Sequence, residues 1–298
     1  MYGPLIIGYL FLGGTAAGGF FAISAWSLAL PHTSRMRALA GSRGTEIRAV
    51  EAFSSLRTRM YALCLILLVL AVMFLFWDLG SPEKILLVLA RPHATVLTFG
   101  TVFLGAQAII GGLLAAGSIV RVPFLHGRMR RVLEAICCIT SLATMAYTGL
   151  FLMGNIGIAF WSSWSIVPLF VASALSCGIT LTLLVDYFIK DQTILLRAAR
   201  PLQKLHLACL VAEAVFAAFF VQAALSNPAA GSAVSVLLSD EILPVATIGV
   251  LGFGIAAPAI CEIYALSLQD SRTIPISDVL CLCGGLLLRY CIIACGVH

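Results

Sequence analysis

Eight apolar stretches, each long enough to cross a lipid bilayer, set the terms on which this chain can fold. They cover about residues 5–30, 59–78, 94–118, 132–153, 165–186, 204–226, 243–267 and 277–297, joined by polar connections. A hydrocarbon core of roughly 30 Å takes about 20 apolar residues as a helix. Within it every backbone N–H and C=O must be paired by the protein itself, which leaves helices and closed barrels. Barrel strands alternate apolar and polar positions over about ten residues, whereas these stretches are apolar throughout. The fold class expected is all-α, a polytopic membrane protein with eight transmembrane helices. The composition agrees: 10% of residues are charged, against about a quarter in a soluble domain. Eight spans within 298 residues leave no room for a soluble catalytic domain. The start, Met1-Tyr2-Gly3-Pro4, lacks a basic leader, so the first span is expected to stay in the membrane.

The net charge of +5 does not point to nucleic acid, because the basic residues lie between spans. They fix an orientation instead. The first loop carries Arg35, Arg37, Arg43, Arg48, Arg57 and Arg59, the third Arg121, Arg128, Arg130 and Arg131, and the fifth Lys190, Arg197, Arg200 and Lys204. The opposite side holds Lys84 and Arg91 against Asp78, Glu83, Asp240 and Glu241. Both termini are therefore expected outside, on the periplasmic face of a bacterial inner membrane.

Charged groups inside spans are costly and so are candidates for function. Glu134 follows Arg130 and Arg131 closely and reads as an interfacial ion pair. Glu213, Glu262 and Arg289 sit deeper, with His206 near the inner end of the sixth span. They read either as an ion-pair cluster joining the last three spans or as a proton relay rising through Glu262 and Glu213. At the outer face, Asp78 ends the second span, His93 begins the third and Tyr147 lies near the end of the fourth. Antiparallel connectivity brings this acid, imidazole and phenol to a similar depth. Such groups can bond the carbonyl oxygens of a quinone and exchange protons with it.

The first span carries Gly13, Gly14, Gly18 and Gly19, which either let a helix approach closely or leave room for a flat ligand. Trp161 and Trp164 suit the aromatic belt at the interface. The loop from Asp78 reads as a short amphipathic interfacial helix, and the uncharged loop after the sixth span as a cap or a docking segment. All ten cysteines fall in or beside apolar segments, without the spacing of a metal site, and read as small buried hydrophobes. Only His93 and His206 approach the spans, toward opposite faces, so paired axial ligands for a haem are not expected.

GYLFLGGTAAGG near the start, DLGSPEK followed by ARPHAT, YTGLFL with FWSSWSIVPLFVASALSCG after it, and the terminal GGLLLRY together resemble the NrfD/PsrC-like family. These are the quinone-reactive membrane subunits of polysulfide reductase and related complexes. The resemblance runs in order through nearly the whole chain. It implies two four-helix bundles: residues 1–153 with the quinone, and 154–298 with the possible relay. It also implies menaquinone or ubiquinone held non-covalently, and no haem. Its partners would be a four-cluster ferredoxin-like iron–sulfur subunit and a molybdopterin catalytic subunit. By match to the family motifs, Tyr147 would bond the quinone, Asp78 would be a polar group at the site, and Arg289 the basic residue of the last helix. Gly14 and Gly18 would border the slot. Where polysulfide reductase-type proteins can offer polar side chains from the first helix, this chain offers only Thr15. The anchor subunit of dimethyl sulfoxide reductase is a related look-alike with a similar LGSP loop. A secondary transporter or proton channel built on Glu213, Glu262 and Arg289 is the alternative from another class, and a purely structural anchor a third.

Overall fold

The computed structural model describes residues 3–29, 43–79, 96–120, 127–155, 157–188, 192–267 and 275–297. Helix α1 spans Pro4–Ala29, α2 Arg43–Leu79, α3 Val96–Ile119, α4 Arg128–Met153, α5 Ile166–Tyr187 and α6 Gln192–Ser226. A short α7, Gly231–Leu237, precedes α8 at Ile242–Ser267 and α9 at Pro275–Val297. Eight of these helices are long and apolar enough to cross a membrane, at nearly the positions expected from the sequence. No strand occurs among the described residues.

Two helices outrun their spans. Helix α2 has 37 residues, about 55 Å at 1.5 Å per residue, and α6 has 35. Their extra turns occupy part of the basic connections. Helix α6 continues through Pro201, where the missing N–H and the ring would be expected to break it. Pro168 and Pro244 lie in the first turns of α5 and α8, where no intrahelical donor is needed. Pro258 has a different effect. The preceding Val245–Ala256 is wound as π-helix, and Ala257 N–H reaches back to Gly252 O. Wider turns upstream of a proline ease the ring's clash with the carbonyl one turn before it.

Helix α1 is packed against α2, α4 and α5, and α3 touches both α2 and α4. Helix α5 also meets α6 and α9, and α8 lies against α9 and α6. The tightest seams are made by glycine. A Cβ on Gly18 would strike the carbonyl of Ala174, and one on Gly178 would strike the backbone of Gly18, so α1 and α5 cross backbone to backbone. Gly254 of α8 and Gly284 of α9 repeat that contact. Without a hydrophobic drive between helices in lipid, such close approach supplies the attraction through dispersion.

Beyond α6, Asn227 Oδ1 accepts from Ala229 N–H at 3.1 Å and starts the turn into α7. Ala230 and Ala233 are buried, and α7 packs on α9. This loop caps its end of the bundle. The connection expected as an interfacial helix after Asp78 lies, with His93, outside the described residues.

Candidate functional site

Tyr147 and Tyr9 form the centre of the first candidate site. Both are buried, at 5% and 4% exposure, and their hydroxyls hydrogen-bond to each other across α4 and α1. Gly100 of α3 lies against the Tyr147 ring so closely that a Cβ there would overlap it. Phe151, one turn on, has its ring centroid 6.1 Å from that of Tyr147. Two hydroxyls hold two protons, and their mutual bond consumes one. The other remains for an acceptor, which is the provision a carbonyl ligand requires. The sequence does not single out Tyr9, because a tyrosine early in a first span reads as an ordinary interfacial anchor.

The other expected members stand apart. Asp78 is half-buried and lies against Gly3, 3.3 Å from where a Cβ of that residue would be. Tyr147 meets α1 at Tyr9, about 9 Å farther along the helix. The two are staggered in depth because Asp78 ends α2 while Tyr147 lies six residues before the end of α4. Gly18 opens no slot, since α5 fills its face. Gly14 faces the Arg289 guanidinium, 3.1 Å from where a Cβ would be. Thr15 is buried beside the Cys177 thiol.

Arg289 heads a second cluster. It is 1% exposed, and its Nε donates to Leu10 O at 3.2 Å, while Nη1 donates to Ser173 Oγ at 3.1 Å and to Gly285 O at 2.6 Å. Phe11 and Phe170 lie against its guanidinium, with ring centroids 5.7 and 5.6 Å from Cζ. Glu213 bonds the same Ser173 and faces both Arg289 and His206. His206 Nδ1 is 2.7 Å from Glu262 Oε1, and its Nε2 is 2.9 Å from Thr180 Oγ1 and 3.1 Å from Ser176 Oγ. Glu262 Oε2 has no hydrogen-bond partner, and Asp278, at the start of α9, lies within its field. The four residues proposed as a relay thus stand along one buried polar line from α8 through α6 to α9. That line ends on Leu10, the neighbour of Tyr9. An imidazole bonded at both nitrogens can take a proton on one side and release one on the other.

Of a third polar cluster the sequence shows only an ion pair. Arg130 Nε donates to Glu134 Oε1 at 2.9 Å, as expected, and Ser27 Oγ donates to the same oxygen at 2.9 Å. Above it Ser24 bonds Tyr61 at 3.1 Å, and Thr140 donates to Gln107 Oε1 at 2.5 Å. Corrections apply to the indole and thiol readings. Trp161 is fully buried, its Nε1 donating to Ile292 O at 3.0 Å, and of these two indoles Trp164 alone is exposed, at 66%. The small Gly296 leaves the space that the Trp161 ring fills. Of the cysteines, seven are buried, Cys138 and Cys261 are intermediate, and Cys283 is exposed. Among the described residues no group of three metal-binding side chains occurs.

A search of curated proteins finds no match. The model of the family described as "Polysulphide reductase, NrfD" matches residues 1–298, the whole chain. The chain is a multi-pass membrane protein that belongs to this family of membrane subunits, which work with the partner subunits of polysulfide reductases and related oxidoreductase complexes.

Proposed function

We propose that the chain is the quinone-reactive anchor of a membrane oxidoreductase. In this reading it binds menaquinone or ubiquinone, as quinol or quinone, near the periplasmic face. It exchanges electrons with a four-cluster ferredoxin-like iron–sulfur subunit, which serves a molybdopterin catalytic subunit. Helices α1–α4 hold the quinone and the second half carries protons, as two four-helix bundles with both termini periplasmic. The observation that carries the reading is the buried Tyr9–Tyr147 pair, which retains one hydroxyl proton for a carbonyl acceptor.

A bound quinone would supply two-electron redox chemistry coupled to two protons. Tyr147 and Tyr9 would hold its carbonyl and keep a proton at hand. The flat Gly100 surface would leave the phenol ring room to sit edgewise to the ligand. Asp78, about 9 Å farther along α1, and His93, expected at the same face, would pass protons between this pocket and the outer surface. Arg289, bonded to Leu10 O, would fix the backbone that carries Tyr9. Through Ser173 it would tie that backbone to Glu213, His206 and Glu262.

The test is quinol-dependent electron flow through the purified complex. Tyr147→Phe should lower it about 100-fold, the order of a lost general acid–base group, with the complex still assembled. Unchanged flow in Tyr147→Phe and Tyr9→Phe alike would end the proposal. The buried polar line along which Glu262, His206, Glu213 and Arg289 stand favours a second reading, a proton channel or secondary transporter. Proton movement by the chain alone in liposomes, without any partner subunit, would select it.

A further inference from the structure

Three groups compete for one ring nitrogen of His206. Its Nδ1 meets Glu262 Oε1 at 2.7 Å, and an ionised carboxylate only accepts, so Nδ1 carries the hydrogen. Nε2 then offers one lone pair. Thr180 Oγ1 lies 2.9 Å from it, Ser176 Oγ 3.1 Å and Cys281 Sγ 3.5 Å. Each of the three can donate or accept. A carbonyl or a backbone N–H at Nε2 would suit a single charge state of the imidazole, whereas these groups suit both. When Nε2 gains a proton it can donate to the oxygen that had donated to it. Thr180 can then turn its own hydrogen to Cys281 Sγ, 3.4 Å away. His206 can therefore change charge with its ring in place.

Glu213 lies seven residues from His206 on α6, about 10 Å along the axis. Between them that helix buries only the Cys209 thiol and the apolar Leu210. Helix α5 offers hydroxyls. Thr182 bonds back to Gly178 O at 2.8 Å, as such groups commonly do. Ser173, Ser176 and Thr180 turn instead to the neighbouring helices, and all three are fully buried. Ser173 Oγ accepts from Arg289 Nη1 at 3.1 Å and so directs its own hydrogen to Glu213. Ser176 stands three residues on along the same face. Side chains so spaced have Cβ atoms about 5–6 Å apart, close enough for two Oγ atoms turned toward each other to bond. We propose that Ser176 and Ser173 pass protons between His206 and Glu213. The inference deepens the reading of this half as a proton path and rests on it. In one passage the imidazolium gives its Nε2 proton to Ser176 Oγ, the Ser176 hydrogen moves to Ser173 Oγ, and the Ser173 hydrogen moves to the Glu213 carboxylate. One proton leaves His206, one arrives at Glu213, and each serine keeps one. Both hydroxyls then rotate back before the next passage.

The experiment follows proton uptake with a pH dye during quinone turnover by the purified complex. Glu262→Gln tests the path itself and should slow uptake. Ser176→Ala should slow it about 100-fold, the low end of what a proton-transferring group contributes, with the complex still assembled. Ser176→Thr, which keeps the hydroxyl, should restore most of the rate, and Cys209→Ala should leave it unchanged. Wild-type uptake in Ser176→Ala, beside slowed uptake in Glu262→Gln, would overturn the serine route and leave the proton path standing. Equal slowing in Ser176→Ala and Ser176→Thr would make Ser176 a packing residue and end the proposal. Undiminished uptake in Glu262→Gln would remove path and route together. Should Ser176→Ala fail to assemble, the wild-type complex decides: its uptake rate plotted against the deuterium fraction of the solvent should bow, because several hydrogens move in one event. A straight line would sink the route.

Discussion

The tyrosine pair and the His206–Glu262 pair each join two spans through a hydrogen bond out of water, yet they differ in kind. Tyr9 and Tyr147 are neutral donors that can lose one partner and leave a hydroxyl free. His206 and Glu262 hold a proton between them at 2.7 Å, in a setting that also contains Glu213, Arg289 and Asp278. A neutral pair suits recognition of an uncharged carbonyl, since it adds directionality at little desolvation cost. An ionisable line suits transfer, and it is costly to leave incomplete. The cost of breaking each should therefore run opposite to the effect on the quinone chemistry proposed for the tyrosines.

The largest structural effect should come from neither pair. Gly178→Leu would drive a side chain into the Gly18 backbone and should abolish folded protein in the membrane, read by yield after detergent extraction. If this variant folds, the two halves are not held by that seam and the comparison loses its frame. Next, Arg289→Gln takes from Glu213 its guanidinium neighbour and should lower stability by about 3–5 kcal/mol, the usual cost of breaking a buried charge cluster. Thermal unfolding measures it, and adding Glu213→Gln should restore part of the loss. A loss below 1 kcal/mol would make the second cluster as dispensable as the first. Tyr9→Phe should cost only about 1 kcal/mol, one hydrogen bond's worth, while quinol-dependent turnover falls sharply. The smallest change in unfolding is expected for Glu262→Gln, because the amide oxygen can still accept from His206 Nδ1. Proton uptake during turnover, followed with a pH dye, should nevertheless slow; undiminished uptake would make the line structural.

The eight spans were readable because hydrocarbon leaves the chain few choices, and their periodic length survives any uncertainty in packing. Glu213, Glu262, Arg289 and His206 were readable for the same reason: charge inside a span is conspicuous. What the sequence withheld was direction around each helix. Tyr9 and Tyr147 are 138 positions apart, and their meeting depends on how α1 crosses α4. Trp161 and Trp164 are three apart in one loop, yet one is sealed against Ile292 O and the other faces outward. The amphipathic pattern that would separate inside from outside in a soluble helix is absent when the solvent is also apolar. Hydroxyls gave little signal for a similar reason. Ser24, Ser27 and Thr140 look like residues that bond their own carbonyls, and only the fold shows them reaching Tyr61, Glu134 and Gln107.

The crossing of Gly18 over Gly178 has a mechanical consequence. A joint containing no side chains has no rotamers to exchange, so it offers a single arrangement and nothing to slide through. Any signal passing from the phenols to the carboxylates must then travel as rearranged protons and bonds about Leu10 and Arg289, while the two helices stay riveted.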